Sequence, residues 1–490
     1  MISHELMAPM MFAGLVIVML IGYPVAFSLA ALGLGFGLVA VAAGMFPPQF
    51  LGSLPLRVFG ILSNDLLLAI PFFTFMGAIL ERCGLAEDLL EGTGQLFGPI
   101  PGGLAFAVII VGAILGAITG TVAASVIAMG MISLPIMMRY GYDMKLATGV
   151  IAASGTITQL IPPSLVLVVL ADQLGKSVGD MYKGAIGPSI VQTLLFLAYI
   201  VGVAIFRPKW VPPIPKEARQ PLGWKLVSKV LMGMIPSVVL IFLVLGTIFM
   251  GIATPTEAGA MGAVGGMGIA AMHRRLTWTL VWQGMESTMR LTAMVIFILI
   301  GSSIFTLVFQ GVDGGPWLEH LLSGMPGGVV GFLIFVNVFV FFLAFFLDFF
   351  EIAFILIPLL APVATKLGID LVWFGVLLCV NIQTSFMHPP FGFALFYLRG
   401  IAPKEVKSSD IYIGAIPWVL LQVAMVAIVI LWPGLVTSWL DKEEVIDIDK
   451  VRIEAPAVEP LGDAPTIPGS LEGKDTPAAQ KDKAPAGVSR

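Results

Sequence analysis

Apolar residues come in long runs divided by short polar breaks over the first 440 positions, and the runs then stop. A helix crosses a bilayer with roughly 20 apolar residues. Runs of that kind lie near 8–22, 24–43, 66–80, 144–170, 184–206, 230–252, 255–272, 288–310, 371–398 and 411–437. They predict an all-α polytopic membrane protein. Gly22-Tyr23-Pro24 interrupts the first long run and leaves open whether it makes one span or two. Ser63-Asn64-Asp65 supplies an N-cap for the helix that follows, and Leu51 to Leu62, with Arg57, reads as an interfacial segment. Two more runs, 103–138 and 328–365, are too long for one span. The first is interrupted between Gly116 and Thr121, the second at Leu347-Asp348. Each reads as a re-entrant helical hairpin with its tip at mid-depth. The simpler alternative is two short spans with a tight turn.

Inside two of the spans the pattern is wrong for a plain membrane helix. Residues 152–164 read A-A-S-G-T-I-T-Q-L-I-P-P-S, with Ser154, Gly155, Thr156, Thr158 and the pair Pro162-Pro163 in one short stretch. Proline lacks a backbone donor and clashes with the preceding turn. In lipid the freed carbonyls need partners, so such a break survives only inside protein or against a wet cavity. The bland reading is a kink whose carbonyls are satisfied by Ser and Thr. The other is a broken helix of the kind that holds ions and solutes in secondary transporters. The same arrangement returns 227 positions later as N-I-Q-T-S-F-M-H-P-P-F, placing Asn381, Gln383, Thr384, Pro389 and Pro390 in a second break. That offset also pairs Pro135 with Pro362, Gly141 with Gly368 and Asp143 with Asp370. D-M-Y-K-G-A-I at Asp180 then matches D-I-Y-I-G-A-I at Asp410, and Pro101-Gly102-Gly103 matches Pro326-Gly327-Gly328. The matching residues are those that set backbone shape. They predict two structural repeats.

Charge orients the runs. The 490 residues are 58% hydrophobic and 11% charged, which excludes an ordinary soluble domain. The net charge of −4 resides in the tail, and nothing suggests nucleic acid. Six basic residues between Arg207 and Lys229 mark a cytoplasmic linker at 207–229. With non-crossing hairpins, fifteen basic residues fall in cytoplasmic segments and four in outer ones. Each unit then has five crossings, an odd number, so the repeats are inverted and both termini lie on the outer side. The expected organisation is a first repeat with its leading span at 1–206, the linker, a second repeat with its leading span at 230–440, and a disordered polar tail at 441–490. The N-terminus carries no basic residue ahead of its first apolar run, so no cleaved signal peptide is expected.

Other chemistry is sparse. Thr254-Pro255-Thr256-Glu257 is a capping box with proline at the first helical position. Gly120 and Thr121 would begin the second half-helix of the first hairpin, where free N–H groups suit a carboxylate. Asp348 would begin the second half-helix of the other hairpin, either as its cap or as a cation or proton ligand, with Glu351 one turn on. His388 has no partner at metal-ligand spacing and reads as a packed histidine ahead of a proton relay. Cys83 and Cys379 read as buried hydrophobes. The run Phe339 to Phe350 reads as packing. No nucleotide-binding or catalytic motif stands out, so no cofactor is expected, and transport would draw on an ion gradient.

The stretches G-T-V-A-A-S-V-I-A-M-G from Gly120, A-A-S-G-T-I-T-Q-L-I-P-P-S, G-I-A-T-P-T-E-A from Gly251, and N-I-Q-T-S-F-M-H-P-P-F-G together resemble the large membrane subunit of the TRAP (tripartite ATP-independent periplasmic) transporters, over about residues 5–440. The second half looks like the mannitol, chloroaromatic or 2-oxoacid branch. The resemblance implies an elevator-type, sodium-driven importer in a bacterial inner membrane. It implies two partners, a small four-helix membrane subunit and a periplasmic binding protein that delivers an organic acid. It also implies sodium at the tips and breaks: Gly120, Thr121, Ser154, Gly155, Thr156, Thr158, Asn381, Gln383, Thr384 and the proline pairs. Two departures stand out: Gly-Thr-Val at the first tip where relatives often have Gly-Ser-Ser, and a bulkier stretch from Gln383 to His388. The alternatives are a stand-alone ion-coupled carboxylate transporter and a membrane-embedded enzyme using Asp348, Glu351 and His388.

Overall fold

A computed structural model describes residues 4–441 except 120, 222 and 391. The tail beyond Asp441 and the tip glycine Gly120 lie outside the described residues. The first run forms two helices, α1 (His4–Ile21) and α2 (Val25–Ala42), because Gly22 turns at φ +83° and Pro24 precedes the second. Residues 48–53 make a 3₁₀ turn before α3 (Leu54–Leu62), and Asn64 accepts from the Leu66 N–H to start the turn into α4 (Ala69–Arg82). α5 (Leu85–Phe97) follows. The hairpin run gives α6 (Gly103–Thr119) and α7 (Val122–Arg139). The broken run gives α8 (Met144–Thr156), a 3₁₀ turn at 157–159, and α9 (Leu165–Leu174), before α10 (Val178–Phe206).

The rest of the chain runs through elements in the same order. α11 (Trp224–Phe249) and α12 (Pro255–Met272) come first, then α13 (Trp278–Gly311) and α14 (Gly314–Ser323). α15 (Gly328–Leu343) and α16 (Phe349–Lys366) occupy the second hairpin run. α17 (Leu371–Ile382), a 3₁₀ turn at 383–386 and α18 (Phe393–Ile401) form the second broken run, and α19 (Ser408–Leu431) and α20 (Gly434–Thr437) are the last elements among the described residues. The peptides Pro162-Pro163 and Pro389-Pro390 are both cis. The capping box forms as expected: Thr254 Oγ1 accepts from the Glu257 N–H at 3.2 Å, and Glu257 Oε2 accepts from the Thr254 N–H at 2.8 Å.

The structure moves two expected boundaries and adds two helices. α11 starts at Trp224, so the end of the 207–229 linker is helical. α13 begins ten residues before the expected 288. Helices α5 and α14 lie outside the expected spans; both are short and carry acids among their apolar residues. Seven helices among the described residues are long and apolar enough to cross a membrane. The pair 48–62 and 65–82, bent by 47°, would make an eighth as one span. α7 and α16 belong to that set. The glycine- and alanine-rich α12 forms as a helix without meeting it.

Packing is reciprocal across the chain. α2 lies on α13 while α12 lies on α4; α8 lies on α19 while α17 lies on α10; α9 lies on α16 while α18 lies on α7. Lipid tails are as apolar as leucine, so membrane helices associate through close packing at small residues. Two contacts show it. A Cβ on Gly301 of α13 would sit 2.3 Å from the Ala26 carbonyl oxygen of α2, and one on Gly414 of α19 would sit 2.1 Å from the Lys145 carbonyl oxygen of α8. Near that second crossing, Trp418 is fully buried between the edges of Phe196 and Tyr199, each ring centroid 5.0 Å away.

Candidate substrate and ion site

The first break follows from the absent proline donors. Without N–H groups at 162 and 163, the carbonyls ahead of them lose helical partners. The Ser164 hydroxyl donates to Gln159 O at 2.5 Å, and the Ser189 hydroxyl of α10 donates to Leu160 O at 3.0 Å. Ser164 also caps α9, accepting from the Val166 N–H at 3.2 Å. Hydroxyl groups thus satisfy two carbonyls, as the bland reading requires. Other polar atoms are left over. Ser154, Thr156, Thr158 and Gln159 are buried, and Ser154 Oγ and Gln159 Oε1 have no partner among the described residues. Thr156 and Thr158 spend their hydroxyl protons on Ala153 O and Gly155 O, both at 2.9 Å.

In the second break Asn381, Gln383, Thr384, Ser385 and His388 are all buried. The Asn381 amide donates to Asn337 O at 2.7 Å and to Asn337 Oδ1 at 3.1 Å. Asn337 is anchored on Leu333 O at 2.8 Å. Among the described residues, Gln383 Oε1, Thr384 Oγ1 and Ser385 Oγ have no partner. His388 lies against the rings of Phe341 and Phe345, with centroids 4.3 and 4.1 Å away, and neither ring nitrogen has a partner among the described residues.

The two breaks are tied down by glutamines that the sequence reading passed over. Gln422 of α19 donates to Thr156 Oγ1 at 3.0 Å, and Gln383 donates to Gln192 of α10 at 3.5 Å. Gln192 and Gln422 follow the matched D-x-Y-x-G-A-I stretches at the same distance, and Thr156 and Gln383 are the same 227 positions apart as the breaks. Asn337 was also missed. The residue 225 positions earlier, Gly112 of α6, packs on Ser154 so closely that a Cβ would fall 2.8 Å from that of Ser154. A lone amide inside an apolar run was the available signal in all three cases. Asn337→Leu removes one acceptor of the Asn381 amide and the anchor on Leu333. The expected loss is about 1 kcal/mol, read as a lower unfolding midpoint in detergent; an unchanged midpoint would show the amide pair to be dispensable for stability.

The α6–α7 and α15–α16 turns meet the breaks at one cleft of about 330 Å³. Thr121 and Asp348 line it, with Gln159 and Val166 from the first break and Phe386 and Phe393 from the second. The other expected site residues are not among those lining it: Ser154, Gly155, Thr156, Thr158, Pro162 and Pro163, with Asn381, Gln383 and Thr384, are buried, Pro389 is half-buried and Pro390 is exposed. The two tips differ. Asp348 caps α16 in a second capping box: its Oδ1 accepts from the Glu351 N–H, and Glu351 Oε2 accepts from the Asp348 N–H, both at 2.9 Å. Thr121 makes no side-chain cap at the start of α7, and Thr121, Val122 and Ala123 line the cleft. Asp348 and Glu351 therefore face each other. No group of three or more His, Cys, Asp and Glu among the described residues could hold a metal ion.

These features define a polytopic helical membrane protein with paired broken helices around one interior cleft. Residues 12–435 match the family described as Tripartite ATP-independent periplasmic transporter, DctM component, and the chain belongs to that family as a TRAP large membrane subunit, a multi-pass protein of the inner membrane. It is 29% identical to the C4-dicarboxylate TRAP transporter large permease protein DctM of Pseudomonas aeruginosa, over 81% of this chain and 92% of that one. It is 28% identical to the isethionate TRAP transporter permease protein DctMQ of Oleidesulfovibrio alaskensis, over 87% of this chain but only 65% of that protein. It is 25% identical to the sialic acid TRAP transporter large permease protein SiaM of Vibrio cholerae, over 84% of this chain and 93% of that one. Among solved structures the YdaH transporter of Alcanivorax borkumensis shares the fold, with a TM-score of 0.56 at 17% identity, covering 78% of this chain and 87% of that one.

Proposed function

We propose that this chain is the translocation subunit of a sodium-coupled importer of small organic acids, working with a small membrane subunit and a periplasmic binding protein. The observation that carries it is the meeting of both hairpin tips and both helix breaks at one cleft, with Thr121 and Asp348 in its wall. The relatives are named for acids: C4-dicarboxylates, isethionate and sialic acid. Sodium is held by buried oxygens at Ser154, Gly155, Thr156 and Thr158 in the first break and Asn381, Gln383 and Thr384 in the second, with the proline pairs keeping each break open. Buried oxygens at Ser154, Gln383 and Thr384 that have no partner among the described residues support that assignment. The two halves are inverted repeats, a reading supported by the recurring element order and the reciprocal packing. Hairpins that re-enter, both termini outside and an elevator-like stroke of the hairpins with the breaks complete the reading.

Proteoliposomes loaded with the two membrane subunits test it. Uptake of the cognate acid should require an inward sodium gradient and the added binding protein. Equal uptake without the binding protein would make this a stand-alone carboxylate transporter. Equal uptake in potassium would remove sodium as the coupling ion.

A further inference from the structure

We infer that the groove between α5, α11 and α12 holds the headgroup of a phosphatidylethanolamine, whose chains run down α11; the importer reading does not depend on it. A cavity of about 870 Å³ lies there, within the range of built ligand sites. α11 packs on both α5 and α12. Asp88 of α5, Gln220 ahead of α11, Ser228 of α11 and His273 just after α12 supply polar lining, and Leu226 and Met232 of α11 supply apolar lining. The depth is that of lipid headgroups. Residues 226–249 are long and apolar enough to cross a membrane, and Trp224 and Trp278, which start α11 and α13, are both exposed. Exposed tryptophans collect at the membrane–water interface. Met232 lies one turn further into the span than Ser228. It begins an exposed apolar stripe that continues through Ile235, Val239 and Phe242 on one face of α11. Head and chain therefore have adjoining places.

The polar side of the groove carries both signs of charge. Asp88 lines the cavity, and Arg275 Nη2 stands 3.4 Å from its Oδ2. The two side chains are 33% and 42% exposed, so each can take a further partner. Arg275 is held in place by donating to Cys83 O at 2.5 Å, and it lies against Gly84, where a Cβ would fall 2.3 Å from Nη1. His273 Nδ1 donates to Ile269 O at 2.9 Å, which leaves Nε2 as the acceptor of the neutral ring. The Asp88 carboxylate and that nitrogen suit an ammonium; the guanidinium suits a phosphate. A phosphoethanolamine head carries those two charges two carbons apart, opposite in order to the carboxylate and guanidinium side by side. A choline head has no N–H to donate, and a glycerol head brings no cation to Asp88. The wall is fixed on the linker side as well: the Gln220 N–H donates to Gln95 Oε1 of α5 at 3.0 Å.

The test is the unfolding midpoint of the full-length protein, purified with its small membrane subunit and stripped of lipid in detergent. The probes are phosphatidylethanolamine, phosphatidylcholine and phosphatidylglycerol with the same oleoyl chains at equal concentration, and water-soluble phosphoethanolamine. Phosphatidylethanolamine should raise the midpoint by several degrees more than the other two lipids, and phosphoethanolamine should leave it unchanged. Asp88→Asn should cut the phosphatidylethanolamine shift to that of phosphatidylcholine. Ser228→Trp fills the cavity from a half-buried position without altering a charge and should do the same. Native mass spectrometry of the unstripped wild-type protein, which needs no variant to fold, should show phosphatidylethanolamine retained ahead of phosphatidylglycerol. Equal shifts from the three lipids, or a preference that survives both variants, overturns the inference. So does a larger shift or firmer retention with phosphatidylglycerol, which would mean an anionic-lipid site. A phosphoethanolamine shift equal to the lipid's also overturns it, by making the ligand a soluble zwitterion. None of these results measures uptake, so each leaves the importer reading standing.

Discussion

Replacing Pro162 and Pro163 together with alanine should reduce acid uptake to background while the protein still inserts and folds. Each proline costs about 3 kcal/mol relative to alanine in a helix interior. Removing both restores two N–H donors, so α8 can run on into α9 as one rod. Residues 144–174 would then span about 46 Å at 1.5 Å per residue. The change reaches the site directly. Ser164 would lose its bond to Gln159 O, and Gln159, Leu165 and Val166 would leave the cleft wall they now share with Thr121 and Asp348. The midpoint of unfolding should hold or rise, because helical bonds are gained. Uptake within about twofold of wild type, a difference of only about 0.4 kcal/mol, would mean the break has no part in transport.

Gly414→Leu should have the largest effect on stability. A Cβ there lies 2.1 Å from the Lys145 carbonyl oxygen and 2.9 Å from its carbonyl carbon. Both are backbone atoms, so no rotamer change relieves the overlap, and α8 and α19 must part. Overpacking costs about 1–3 kcal/mol when side chains can yield, and here they cannot, so the loss should exceed that range. It would separate α19 from the helix that carries the first break, and Gln422 from Thr156. The expected reading is loss of the folded monodisperse peak in detergent. Gly202→Leu is the control, since nothing lies within 4 Å of its Cβ position and leucine is the better helix former. If both variants behave alike, close approach of α8 and α19 is not what holds them.

Legibility varied with the range of the interaction. The breaks, the capping box at Thr254 and the cap at Asn64 could be read residue by residue, because each concerns backbone donors and acceptors within one or two turns. Asp348 was left between cap and ligand, and the structure gives it both the cap of α16 and a place in the cleft. α5 and α14 escaped notice because a search for long apolar runs has no term for a short helix with one wet face. Asn337, Gln192 and Gln422 were visible as isolated amides, yet their partners lie 44, 191 and 266 positions away. No periodicity reports such a pairing.

From the order of residues alone came the membrane class, the positions of most long helices, and the two interruptions with their proline pairs. Those follow from hydrocarbon thickness and from which residues can donate a backbone hydrogen bond, both local facts. Only the folded chain decided that the interruptions and tips meet at one cleft, that its walls are aromatic, and that one helix start has a side-chain cap while Thr121 gives the other none. Those depend on how closely helices approach across the whole molecule, which is set where glycines let backbones touch and is the sum of contacts no single stretch contains.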